Sequence, residues 1–224
     1  MKCFKRKLSL LDELDQEELL LLNSNRTTVV YQTGEFLYKE GTSPFGLMCL
    51  NTGKVKVSMT GYTENELIVD LKKPVDLLGL TNLLTGEKYT TSAIALEHSE
   101  ICIIDLKDFT SVAKKNNRLL EKINEHLGFE LLRTHQRMLG LTQKHMRARL
   151  ADALLFVKEI FGQNMDGSLN MDLKRSDLAA LANMTTSNAI RTLSEFVDNQ
   201  IVSVDRRRVT ITSDNQLRMI SLRG

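Results

Sequence analysis

Between Lys174 and Phe196 the chain sets short hydrogen-bonding side chains and one arginine at the spacing that a groove-reading helix requires. Thr185 is of the type that caps a helix N-terminus. Thr186, Ser187 and Asn188 fill the next turn, and Arg191 follows one turn later. Small donors and acceptors let a helix end approach phosphates and base edges, and a guanidinium can grip guanine O6 and N7 with two bonds. The helical period puts Ala189, Leu193, Phe196 and Val197 on the opposite, buried stripe. Ordinary solvation accounts for Thr186 and Ser187 taken alone. It does not account for them together with the residues on either side.

Upstream, Asp177 favours the start of a shorter helix, with Leu178, Leu181 and Ala182 as its apolar face and Ala179 small enough for a second helix to cross closely. Asn183 stands where a tight turn needs a left-handed backbone, which asparagine tolerates better than most residues. Downstream, Ile201–Val204 and Val209–Thr212 flank Asp205-Arg206-Arg207-Arg208, two strands with a basic tip. Arg206, Arg207 and Arg208, with Arg175, suit backbone phosphates, which give affinity and salt dependence without reading sequence. A solvated basic turn is the alternative for the tip itself.

Such a head needs a support. Arg147–Phe161 reads as a helix with Leu150, Leu154, Val157, Ile160 and Phe161 on one face, stopped by Gly162. Before it, Leu120, Leu127, Leu131, Thr134, Met138 and Leu141 form a heptad seam, with Glu130, Arg133, Arg137 and Lys144 off the stripe. An identical helix from a second copy would cover such a seam; packing on the chain's own β-domain is the alternative. Gly140, where the seam ends, is the expected hinge.

From Thr27 to Ile104 the text is short β-type segments between glycines: Val29–Tyr31, Phe36–Tyr38, Leu47–Leu50, Val55–Val57, Leu67–Val69, Ser92–Ala95 and Ile101–Ile104. Many short strands at close spacing predict an antiparallel sandwich or jelly roll. Residues 8–23 read as a short acidic helix, with Leu19–Leu22 capping a core. The whole is an α+β chain: a β jelly roll over 1–115, a dimerisation helix over 116–141 and a winged helix-turn-helix over 142–224, the last stretch from 168 being two short helices and a hairpin.

A hydrophobic share of 42% in 224 residues is enough for two modest domains with cores, and 26% charged residues cover a normal surface. The net charge of +2 excludes a generic polyanion binder. Its distribution is uneven: Thr142 onward carries 12 basic against 9 acidic residues, leaving 18 against 19 before it. The three cysteines, Cys3, Cys49 and Cys102, are odd in number and widely separated, which gives neither a disulfide framework nor a zinc spacing. The basic start, Lys2 to Lys7, runs into Asp12, Glu13, Asp15, Glu17 and Glu18, so it is no signal peptide. A soluble protein of a reducing cytoplasm, with no membrane partner, is expected.

The order of parts resembles the Crp/Fnr family of bacterial regulators over nearly the whole chain. The resemblance is carried by Gly34-Glu-Phe-Leu-Tyr-Lys-Glu-Gly41, Leu47-Met-Cys-Leu-Asn-Thr-Gly53, Asp76-Leu-Leu-Gly79 and the helix-turn-helix. It implies duplex DNA and a second copy as partners, with RNA polymerase beside them. The family's recognition helix usually has a Glu four residues before an Arg. Arg191 matches the Arg, whereas Ser187 replaces the Glu, which puts the family's usual half-site in doubt. The resemblance also turns Ile190 to the groove, where it would meet a thymine methyl; periodicity alone leaves it at the core edge.

The same resemblance places an effector pocket at Leu78, Gly79, Leu80, Tyr89, Thr90, Thr91 and Ser92, with Thr134 where nucleotide-binding relatives touch the base. A retained Thr on a seam also serves packing. The family's phosphate cassette has Gly-Glu and then an Arg-Ser or Arg-Thr. Here Leu80 follows Gly79 and Tyr89-Thr-Thr-Ser-Ala93 has no arginine, so cAMP is disfavoured: its charge would be buried unpaired. An iron–sulfur cluster needs four thiolates and is disfavoured too. Haem, with His98, His126, His135 or His145 as axial ligand, stays open, as do another metabolite and no ligand. No catalytic grouping or metal site can be assembled, which leaves a ligand module without DNA binding as the rival from another class.

Overall fold

A computed structural model of the chain describes residues 10–61 and 65–223. The basic start and Cys3 lie outside the described residues. The chain divides into two compact units, Met1–Met59 with Val69–Leu132, and Thr60–Ile68 with Arg133–Gly224. Among the described residues no helix is long and apolar enough to cross a membrane.

The expected antiparallel sandwich is present. One sheet has the order β1 (Thr27–Tyr31), β8 (Ser99–Asp105), β3 (Gly46–Thr52) and β6 (Leu77–Leu78). The other runs β2 (Phe36–Tyr38), β7 (Ser92–Ala95), β4 (Val55–Thr60), β5 (Glu66–Lys72). Side chains alternate between faces of a strand, and β3 uses both. Met48 and Leu50 enter the sandwich interior with Leu37, Val55, Val57 and Ile101. Leu47 and Cys49 enter a second core with Leu22, Phe109, Leu119 and Ile123. That double burial explains why Gly46–Leu50 is continuously apolar. It also sets Cys49 directly opposite Cys102 in the β3–β8 register, both buried and not joined in a disulfide, although the sequence separates them widely.

The helical layer departs from the sequence reading in four places. The stretch expected as one helix over 8–23, described from Leu10 on, is not one: a 3-10 turn at Leu10–Glu13 precedes α1 (Gln16–Ser24). The break is a capping box, Asp15 Oδ1 accepting from Glu18 N at 2.9 Å and Glu18 Oε2 from Asp15 N at 3.0 Å. Within Leu19–Leu22, Leu22 is buried, while Leu20 and Leu21 are exposed. Next, Asp76-Leu-Leu-Gly79 is β6 leading into an additional helix, α2 (Leu80–Thr85). α3 (Leu106–Lys115) follows β8.

The long helix, α4, spans Asn117–Gln143. Its first turns bury Leu119 and Ile123, and Leu127 packs beside them, so the chain's own core covers this end. Further on, Leu131 is 55% exposed and Met138 58%, with Leu132, Leu139 and Thr134 also exposed and Leu141 half-buried. Leu120 is exposed as well. Gly140 is not a hinge. It is buried inside α4, where a Cβ would come within 3.2 Å of Asp152 Oδ2, so the glycine serves close packing. The chain breaks at Lys144 and His145 instead.

The second unit contains α5 (Met146–Phe161), α6 (Arg175–Leu181), α7 (Thr186–Asp198), the hairpin β9 (Val202–Asp205) and β10 (Arg208–Ile211), and α8 (Asp214–Leu222). α8 is the fourth departure: the stretch after 168 holds a third helix, beyond the hairpin. Alanines 148, 151 and 153 are buried beside Leu150, Leu154 and Val157, so α5 lies close to its neighbours on several sides rather than one.

Candidate nucleic-acid interface and effector pocket

The turn between α6 and α7 is built as the sequence predicts. Asn183 has φ 49°, and Met184 N donates to Ala179 O at 3.1 Å, folding the chain back. Thr185 caps α7, its hydroxyl accepting from Asn188 N at 3.3 Å. Ala189, Leu193 and Phe196 are buried. Val197 is not: it is 39% exposed, and Thr192 takes the fourth buried position. The buried stripe is thus turned slightly, toward Thr192 and away from Val197, along the 3- and 4-residue helical steps.

On the outward face Thr185, Thr186, Ser187, Ile190 and Arg191 are exposed and Asn188 is half-buried. Ile190, at 46% exposure, is on the outer face and not at the core edge. Arg191 Nη2 donates to Asn188 Oδ1 at 3.3 Å, which draws the guanidinium along the helix toward its N-terminal turn. A guanidinium and a carboxamide held side by side offer donors and an acceptor to adjacent bases.

At the wing, Asp205 faces Arg208 in the hairpin register, with Arg206 and Arg207 as the exposed two-residue tip. Arg206 takes a left-handed conformation, φ 55°. The four arginines divide by role. Arg206 and Arg207 project at the tip, and Arg208 leans toward Asp166 at 3.9 Å. Arg175 donates from Nη2 to Arg206 O at 2.9 Å, so it braces the wing from α6.

The sandwich presents a different kind of site. Tyr89 is buried and stacks on Tyr38, ring centroids 3.9 Å apart and 16° from parallel. The edge of Tyr89 lies where Gly79 would carry a side chain: a Cβ there would sit 2.6 Å from Cε1. Leu78 joins this core, and Leu80 is buried in the helical one. Thr91 Oγ1 is 3.5 Å from Tyr38 Oη, Ser92 Oγ accepts from Glu40 N at 3.0 Å, and Thr90 is exposed. Thr134 is an exposed residue of α4 in the second unit. Tyr89 Oη is buried without a hydrogen-bond partner. Burial, and then the nearby Tyr38, push its pKa up to about 12.

Beside the stack lies a charge cluster that the sequence reading missed. Lys72 Nζ is 2.8 Å from Asp70 Oδ2 and 2.7 Å from Glu130 Oε1, and His126 Nε2 is 3.4 Å from the same Glu130 oxygen. Burial disfavours the Lys72 charge, but the two carboxylates outweigh it and raise its pKa above the lysine norm. Burial likewise opposes ionisation of Glu130. The His126 hydrogen bond and the Lys72 charge prevail and bring its pKa down to about 2. The sequence signal was Asp70 and Lys72 two apart on one strand, hence on one face. Lys72 is already matched by two carboxylates, and the Tyr89 ring fills the space beside Gly79.

Two family models match the chain: "Cyclic nucleotide-binding domain" over residues 28–116 and "Crp-like helix-turn-helix domain" over residues 148–220. The chain is 25% identical over 188 residues to the fumarate and nitrate reduction regulatory protein of Vibrio cholerae serotype O1, covering 83% of this chain and 75% of that one. It is 23% identical over 186 residues to the transcriptional activator protein Anr of Pseudomonas protegens, covering 82% and 76%. Its fold matches a crystal structure of a putative transcriptional regulator of the crp/fnr family from Eubacterium rectale, with TM-score 0.78, 15% identity, and coverage of 95% and 97%.

Proposed function

The chain belongs to the Crp/Fnr family of transcription regulators, and on that premise we propose that α7 reads the major groove of duplex DNA through Thr186, Ser187, Asn188, Ile190 and Arg191. The helix-turn-helix is the family's DNA-binding part, and members of the family dimerise. The single observation that carries the reading is the Arg191–Asn188 pair on an outward face whose underside is fully packed. Arg206 and Arg207 grip backbone phosphates from the wing, and Arg175 holds the wing in place. Two copies meet along α4 through Leu131, Thr134, Met138 and Leu141, the part of the seam that the chain's own core leaves exposed or half-exposed. The protein acts in the cytoplasm and meets RNA polymerase there, as the activator role named for the Pseudomonas relative suggests.

The β-domain answers to something other than a cyclic nucleotide. Support comes from the Tyr38–Tyr89 stack against Gly79 and from the neutralised Lys72. An iron–sulfur centre is equally ill supplied, since the chain has three cysteines and two of them are buried in strands.

Selection of binding sites from a random duplex pool tests the reading. The wild type is expected to return a two-fold motif, and Arg191→Ala to lose about 1–3 kcal/mol with relaxed preference at one base pair per half-site. An unchanged motif in the variant would refute the assignment of Arg191.

A further inference from the structure

Only Lys144 and His145 separate α4 from α5. A connection that short swings freely when nothing spans it, and side chains span this one. Lys144 Nζ binds both carboxylate oxygens of Asp152, at 2.8 and 3.0 Å. Asp152 also accepts from Ser221 on α8. Arg147 pairs with the exposed Glu195 of the reading helix at 3.0 Å and lies over the ring of the buried Phe196 at 5.7 Å. Arg149 reaches furthest. Its Nη1 donates to Leu141 O at 3.4 Å and to Asn183 O at 2.8 Å.

We infer that Arg149 is the positioning residue that locks the reading helix to the dimer helix, one nitrogen bridging the last turn of α4 and the turn between α6 and α7. Leu141 O is among the carbonyls that a helix end leaves without an intrahelical partner. Asn183 O belongs to the left-handed residue on which the helix-turn-helix pivots. Nη1 carries two hydrogens and so serves both acceptors at once. Nε is buried with no partner, so the contacts of the guanidinium concentrate at its far end. Leu141 also closes the seam. A shift in how two copies of α4 pack at Met138 and Leu141 therefore passes to the Asn183 turn through one side chain. The angle of each reading head, and with it the distance between half-sites, is fixed at this junction rather than at a flexible glycine.

The inference rests on the DNA-reading surface proposed above, and one experiment separates the two. Affinity is measured for the full chain on duplexes carrying two half-sites at stepped separations, and on a single half-site, alongside native mass. The wild type is expected to prefer one spacing. Arg149→Met keeps the stem and removes the donors; it should remain dimeric and bind the single half-site as before, while the spacing profile flattens and the best site loses about 10-fold, as for a charged hydrogen bond. Arg149→Lys, which keeps the charge, should recover part of the preference, and it carries the test if the Met variant does not fold. A wild-type spacing profile in both variants overturns the lock alone. A wild type with no preferred spacing overturns the reading surface, and the lock with it.

Discussion

Arg191 and Lys72 are both cations near places that a nucleic acid or nucleotide would approach, and their states are opposite. Arg191 is exposed and bonded to a neutral amide one turn back, so its charge stays available to an incoming partner. Lys72 is buried between two carboxylates, so its charge is spent inside the fold. The difference shows that the surroundings of a basic residue decide whether its charge is available to a partner. An amide neighbour orients a guanidinium without cancelling its field, whereas a pair of carboxylates cancels an ammonium and ties strand β5 to helix α4.

The largest effect expected from breaking this contrast is at Lys72. Lys72→Met would remove the ammonium that Asp70 and Glu130 share. Removing one partner of a buried ion pair typically costs about 3–5 kcal/mol. Denaturant unfolding should show that loss in the β-domain. Arg191→Ala should leave stability unchanged within about 0.5 kcal/mol, as for a surface substitution. If the Lys72 variant were equally neutral, the cluster would not be holding the domain.

The same cluster sets an acid limit. Glu130 has its pKa at about 2 in the fold against an ordinary 4.5. A carboxylate depressed in this way contributes stability above pH 4.5 and loses it progressively as the pH falls from there toward 2. The linkage amounts to roughly 1–3 kcal/mol after allowing for the part of the side chain that faces water. Thermal unfolding from pH 6 to pH 3 should show the decline, and Glu130→Gln should flatten it. A variant that kept the full slope would assign the acid sensitivity elsewhere.

What could be read directly from the residues follows the same divide. The helix-turn-helix was legible because its signals are local: Asn183 for the turn, Thr185 for the cap, Ala189, Leu193 and Phe196 for the stripe. The sandwich was legible as strands, each with its own apolar run. Contacts between distant segments were not. Lys72 with Glu130, Tyr38 over Tyr89, and Arg149 with Asn183 join positions whose meeting depends on the tertiary fold. Gly140 was misread for that reason: a glycine in a helix can mark flexibility or close packing, and only Asp152, from the next helix, decides between them. The capping box at Asp15 and Glu18 was a local signal that the sequence reading passed over.

On the exposed side of the comparison, the wing sharpens what an available charge does. Arg206→Ala and Arg207→Ala should weaken binding to all duplexes alike, and each should lower the slope of log affinity against log salt by about 1. Arg175→Ala should act through the wing without a phosphate of its own. It should lower affinity by displacing the tip while leaving the salt slope nearer the wild-type value. A slope reduced by Arg175→Ala as much as by Arg206→Ala would make Arg175 a direct phosphate contact.

The smallest change tests the filled pocket. Tyr89 Oη is buried and has no hydrogen-bond partner, while its ring stacks on Tyr38 and covers Gly79. Burying a hydroxyl without a partner costs about 1–3 kcal/mol on mutational scales. Tyr89→Phe keeps the ring, and with it the stack and the filled volume, and removes only the hydroxyl. The variant should be as stable as the wild type or up to about 1 kcal/mol more so, because the lost group made no bond in the fold. DNA binding should not change. A clear destabilisation would mean that the hydroxyl has a partner in solution, and it would direct the search for the β-domain's effector to the space around that one oxygen.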